Sequence, residues 1–167
     1  DNLIESLITD AGKLMGQGTM AGYQTDQEQD VIDQAAALYN VLKQRGILYT
    51  HVPGGFFDGS QNVKLPAESL QTGSQNCIDG TLVFASAFEA LGMSPLIIFK
   101  PGHAFVGLVL GPQSDYAIFI ETTAISSKTA EEAMQLGLEE FQDFDEQKWL
   151  VVDVLAMRGA GFTPLNL

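Results

Sequence analysis

Residues 74–92 read "SQNCIDGTLVFASAFEALG", a polar loop that turns into an apolar run and carries the chain's one cysteine, Cys77. Asn76 is a favoured residue for capping a helix start, and Asp79, three positions on, completes a box-like pair. The pattern predicts a helix that begins at Cys77, runs to about Leu91 and stops at Gly92. A thiol in the first helical position feels the positive end of the helix dipole, which favours the thiolate. This is the reading of Cys77 as a nucleophile. The competing reading is a small packed residue, because free cysteine is among the most buried residue types.

Downstream, "PLIIFK", "HAFVGLVL" and "YAIFIETT" are three strand-like runs separated by Pro-Gly and "GPQSD" turns. Thr129 and Glu132 are spaced to cap an acidic helix that reaches about Asp145, with Met134, Leu138 and Phe141 facing inward. "WLVVDVLA" reads as a last strand and "MRGAGFTPLNL" as an irregular tail. Upstream, "DNLIESLITDAGKLMG" has helical spacing, with Asn2 and Glu5 as its cap pair. Thr25 and Glu28 fit a capping box for a second helix with the stripe Val31, Ala35, Leu38 and Leu42, stopping at Gly46. "ILYTHV" reads as a strand and "PGGFFDGSQN" as a loop. Helices followed by successive strands indicate an α+β fold with an antiparallel sheet. The expected layout is one domain over 1–167: an N-terminal helix and loop over 1–21, then a core over 22–165.

The 167 residues allow one sizeable core. A net charge of −13 argues against nucleic-acid and anionic-membrane partners and leaves a basic protein partner open, with the acidic stretch 131–146 as its docking face. A single cysteine forms no internal disulfide. No run approaches the ~20 apolar residues of a membrane-spanning helix, and no signal peptide is visible. The chain opens on Asp1 without a methionine, which reads as a trimmed or processed form; the compartment is left unassigned. Two histidines and one cysteine without close spacing make no metal ligand set, and no cofactor is expected. Trp149 reads as a core residue, and His51 as a surface residue at a strand end.

His103 opens a strand directly after Pro101-Gly102, a position that is held yet reachable, as a general base requires. Glu121 interrupts an apolar strand, and a carboxylate there needs a partner. If Leu110 pairs with Tyr116, His103 faces Thr123 and Glu121 lies one diagonal away on the same face. An odd register slip would separate the two. Cys77, His103 and Glu121 then form a nucleophile, a base and an orienting carboxylate, the set that activates a thiol for acyl transfer. The oxyanion would be met by the Cys77 backbone N–H, with the side-chain amides of Gln61 and Gln75 as candidate helpers. Asp79 could also order the loop at the site.

In "LPAESL", "NCIDGTLVFASAFEALGMSPLIIF", "PGHAFVGLVL" and "FIETT" the chain resembles the transglutaminase-like branch of the papain-fold superfamily, over roughly residues 22–165. "GSQNVKLPAESL" and "VVDVLAMRGAGFTPL" resemble stretches of a bacterial subgroup. The resemblance implies a Cys77–His103–Glu121 triad, a nucleophile helix packed on an antiparallel sheet, and thiol chemistry on an acyl group. The chain departs from the family in having Glu121 where Asp is commoner, and Gln75 where Gly is usual. The function expected is hydrolysis of a peptide or amide bond, with transamidation second. The alternative is a non-catalytic protein-binding module on the same fold.

Overall fold

A computed structural model describes residues 2–51 and 62–164 of the chain. Its central element is the helix that opens at the cysteine. This helix is apolar on most sides and buries Ile78, Val83, Phe84, Ala87 and Phe88. A helix of this kind needs neighbours all round, and it packs against two other α-helices, the 3-10 helix and three strands.

Before it come α1 (Asn2–Leu14), α2 (Glu28–Gln44), β1 (Leu48–Tyr49), α3 (Pro66–Thr72) and β2 (Ser74–Gln75). The central helix is α4 (Cys77–Ala90). After it come β3 (Pro95–Lys100), β4 (His103–Val109), β5 (Ala117–Ile120), a 3-10 helix (Thr122–Ser126), α5 (Ala130–Gln142), β6 (Leu150–Asp153) and α6 (Val154–Gly159). The main sheet has the order β5-β4-β3-β6, antiparallel throughout. β1 and β2 form a separate parallel pair. The class is therefore α+β, with a four-stranded antiparallel sheet.

The strands alternate between two apolar clusters, as side chains on successive residues must. Val106 and Leu108 of β4 face the larger cluster, with Leu7, Leu38, Leu42, Phe84 and Phe88. Ile98, Phe105 and Phe119 point the other way and pack with Phe141 and Trp149. Trp149 is half-buried there, edge-on to Phe105. Because Ile4, Leu7 and Ala11 of α1 join the larger cluster, the first helix is part of the same core as α4.

Several boundaries differ from the sequence reading. α1 includes Asn2, so Asn2 does not precede the helix as its cap. α2 starts at Glu28 behind Gln27, with no side-chain cap, rather than behind Thr25. The cause lies upstream: the Gln34 amide accepts from the Gly22 N–H and donates to the Gly22 carbonyl, folding 22–26 into a turn that delays the helix. Asp26 completes that turn with a positive φ of 52°.

"ILYTHV" contributes only two paired residues, and it joins β2 rather than the main sheet. α3 is a short helix that the sequence pattern does not single out; Pro66 opens it and Gly73, with φ 64°, closes it. α5 ends at Gln142, and Leu138 is 43% exposed rather than inward-facing, because Ala130, Ala133 and Gly137 form the buried face. "WLVVDVLA" divides at Asp153, whose carboxylate accepts from the Ala156 N–H and starts α6 where a continuing strand and irregular tail were expected.

Candidate functional site

α4 begins where its cap requires. Asn76 Oδ1 accepts from the Asp79 N–H at 2.9 Å, and Asp79 Oδ2 accepts from the Asn76 N–H at 3.1 Å. This reciprocal pair satisfies two of the donors that a helix start leaves free. Cys77 is thereby held at the first helical position, 8% exposed. Asp79 has a second task, since its Oδ1 accepts from the Lys64 N–H at 2.8 Å. Lys64 in turn reaches back through Nζ to the carbonyl and hydroxyl oxygens of Ser74. The segment entering α3 is thus tied to the strand that delivers the cysteine.

His103 is placed by a tight turn. Lys100 pairs with His103 across Pro101-Gly102, and Gly102 has a φ of 74°, which disfavours any side chain at that position. The imidazole stacks on the buried Phe105 ring two residues along the same face.

β5 pairs with β4 in the register Val106↔Ile120 to Val109↔Ala117, and Leu110 N–H donates to the Tyr116 carbonyl. Continued by one pair, that register sets Glu121 opposite Phe105 and diagonal to His103. The ladder itself stops at Ile120. Glu121 is therefore not mid-strand but the capping residue of the 3-10 helix, where its side chain accepts from the Thr123 N–H. Its own N–H leaves the sheet and donates to the Ala133 carbonyl of α5 at 2.9 Å.

These placements bring the three residues together. His103 Nε2 lies 2.6 Å from Glu121 Oε2. Glu121 Oε1 accepts from Thr123 N–H at 3.0 Å and from Thr123 Oγ1 at 2.7 Å, so both carboxylate oxygens are engaged. Nε2 faces the carboxylate, and Cys77 lies close enough to the imidazole to favour its charged form. Burial works against a charged ring. The hydrogen bonds and charges of Cys77 and Glu121 overcome it and raise the His103 pKa from 6.5 to about 9. Burial likewise opposes the ionised form of Glu121, yet its hydrogen bonds to His103 and Thr123 and the imidazolium charge hold its pKa below the ordinary carboxylate value.

Two threonine hydroxyls meet at the Cys77 carbonyl. The Cys77 carbonyl accepts from Thr81 Oγ1 at 2.7 Å, within α4, and from Thr122 Oγ1 at 3.3 Å. Thr122 is fully buried and follows Glu121 directly, so one hydroxyl couples the cysteine arm to the acid arm. The sequence reading did not assign Thr122 or Thr123; the signal available was an acid followed by two hydroxyls at a strand end.

The remaining candidates lie as follows. The buried Gln75 side chain rests against Gly80, one turn into α4, and its amide finds no hydrogen-bond partner among the described residues. Gln61 lies outside the described residues. His51 is exposed. A cavity of about 290 Å³ lined by Tyr23, Asp26, Glu28, Leu110 and Pro112 sits at the opposite end of β4 from His103 and shares no residue with the trio. Among the described residues no group of acidic, cysteine or histidine side chains could hold a metal ion, and no helix is long and apolar enough to cross a membrane.

Comparisons with protein-family models, with curated proteins and with solved structures each returned no match.

Proposed function

We propose that this chain is a thiol-dependent acyl-transfer enzyme with a papain-like, transglutaminase-like core, which hydrolyses a peptide or amide bond through Cys77, His103 and Glu121. The observation that carries the reading is the 2.6 Å bond from a buried carboxylate to the imidazole, with the only cysteine close enough to favour the charge of the ring. A core site holds such a row only at a desolvation cost, and packing alone does not require it.

In the proposed reaction the Cys77 thiolate attacks the carbonyl carbon. An S–C bond forms and the carbonyl π pair moves onto oxygen. The imidazolium of His103 protonates the leaving nitrogen as the C–N bond breaks, which leaves a thioester. Water then attacks, His103 accepts its proton, and the thiolate departs. Glu121 holds the ring in one orientation and favours its charged form throughout. The Cys77 backbone N–H at the start of α4 is the main-chain donor for the oxyanion. A peptide or protein substrate fits this chemistry. Water is the expected acceptor, because no described residue of the site marks an amine pocket.

The 8% exposure of Cys77 favours a second reading, a binding module that keeps the constellation without turnover. Incubation with a peptide library followed by mass spectrometry of the intact chain separates the two. An acyl adduct on wild type that is absent from Cys77→Ala supports the enzyme. No adduct from any peptide, at concentrations where a general thiol reagent labels Cys77, supports the module.

A further inference from the structure

The last torsion of a glutamate side chain, the one that turns its carboxylate, has only a broad, roughly two-fold preference. Burial of Glu121 therefore does not decide which of its oxygens meets His103, or in what plane. The imidazole is already set in its own plane by stacking on Phe105, so the carboxylate has to be turned to match it. Thr123 supplies that constraint. Its N–H and its Oγ1 both donate to Oε1, at 3.0 and 2.7 Å, and the other oxygen, Oε2, is the one 2.6 Å from Nε2. The N–H bond is the cap of the 3-10 helix. Capping is complete with that bond, and the hydroxyl is a second donor to the same oxygen. Thr123 is only half-buried, so water would satisfy its hydroxyl as well; the hydroxyl is turned to the carboxylate instead. Both of its bonds also favour the ionised form of Glu121.

We infer that Thr123 is a positioning residue of the proposed site: its hydroxyl holds Oε1 so that Oε2 faces the imidazole, and through Glu121 it orients the base that serves Cys77. No bond forms or breaks at Thr123, and its proton stays on Oγ1 while the acyl group passes through the thiol. The inference rests on the thiol-enzyme reading, and its test separates the two.

Acylation of Cys77 by p-nitrophenyl acetate is followed by release of p-nitrophenolate. Thr123→Val keeps the side-chain shape and the capping N–H and removes only the hydroxyl. Its acylation rate should fall about tenfold, less than a full misplacement of reacting groups costs, and Thr123→Ser should restore most of it. In a Glu121→Ala background there is no carboxylate to hold, so Thr123→Val should change the rate by less than about twofold. Proton NMR gives a reading that needs no turnover. Wild type should show an Nε2 proton held far downfield by the short bond to Oε2; Thr123→Val should broaden it through faster exchange with water, and Thr123→Ser should retain it. An unchanged acylation rate in Thr123→Val would overturn the inference. So would an equal fall in the wild-type and Glu121→Ala backgrounds, which would make Thr123 a folding residue only. A wild type that iodoacetamide labels at Cys77, but that releases no p-nitrophenolate above Cys77→Ala, would defeat the thiol-enzyme reading itself. In that case loss of the Nε2 signal in Thr123→Val would still support the positioning of Glu121, and an unchanged signal would overturn it.

Discussion

Replacing Glu121 with glutamine removes the charge that faces His103 and leaves a side chain of nearly the same shape. A rise in the His103 pKa from 6.5 to about 9 corresponds to roughly 3 kcal/mol in favour of the charged ring. That preference is shared between the Cys77 and Glu121 contacts, and burial opposes it. With the glutamine in place the amide oxygen can still accept from Nε2, but the ion pair is gone and the desolvation stays. The His103 midpoint should therefore fall by at least about one pH unit, the lower end of what an adjacent opposite charge produces. The assay is a proton NMR titration of the imidazole resonances. With only two histidines in the chain, His51→Gln assigns both. A wild-type midpoint near 6.5, or one that Glu121→Gln leaves in place, would refute the reasoning, because it would mean that the carboxylate does not control the ring.

The same contact sets a pH dependence of stability. A pKa raised in the folded state contributes stability that is fully present below about 6.5 and lost as pH rises through about 9. Denaturant titrations should show the margin of wild type over His103→Gln shrinking across that window, and a constant margin would contradict it. Gly137→Ala should destabilise by about 1–3 kcal/mol in denaturant melts. An added Cβ would lie 2.6–2.8 Å from the backbone of Phe119 and Ile120, so α5 must move off β5; an unchanged midpoint would show that the close approach carries no strain. Asp79→Ala should cost about 2–3 kcal/mol by the same measure, because it leaves the Asn76 and Lys64 N–H groups without their acceptor while the Asn76 cap itself stays; a loss below about 0.5 kcal/mol would mean those two bonds do not hold the helix start.

Much of the site was readable in the chain because local chemistry determined it. The Asn76–Asp79 box set the position of Cys77, the Pro101-Gly102 turn set His103, and the short "GPQSD" connection set the hairpin register that makes Glu121 diagonal to His103. What local chemistry did not reveal depended on contacts distant in sequence. The sheet ends before Glu121 because Ala133 of α5 takes its N–H, and α5 comes that close only because Gly137 has no side chain. The delayed start of α2 depends on a glutamine twelve residues beyond Gly22. The exposure of Leu138 follows from small residues, not large ones, forming the face of α5.

The central claim is that sulfur, imidazole and carboxylate act as one unit, and the dependence of Cys77 alkylation on its two partners tests it most directly. The lone cysteine makes the labelling unambiguous. At neutral pH, where His103 is charged, wild type should react with iodoacetamide faster than His103→Gln and faster than Glu121→Gln. Equal rates in the three proteins would contradict the account.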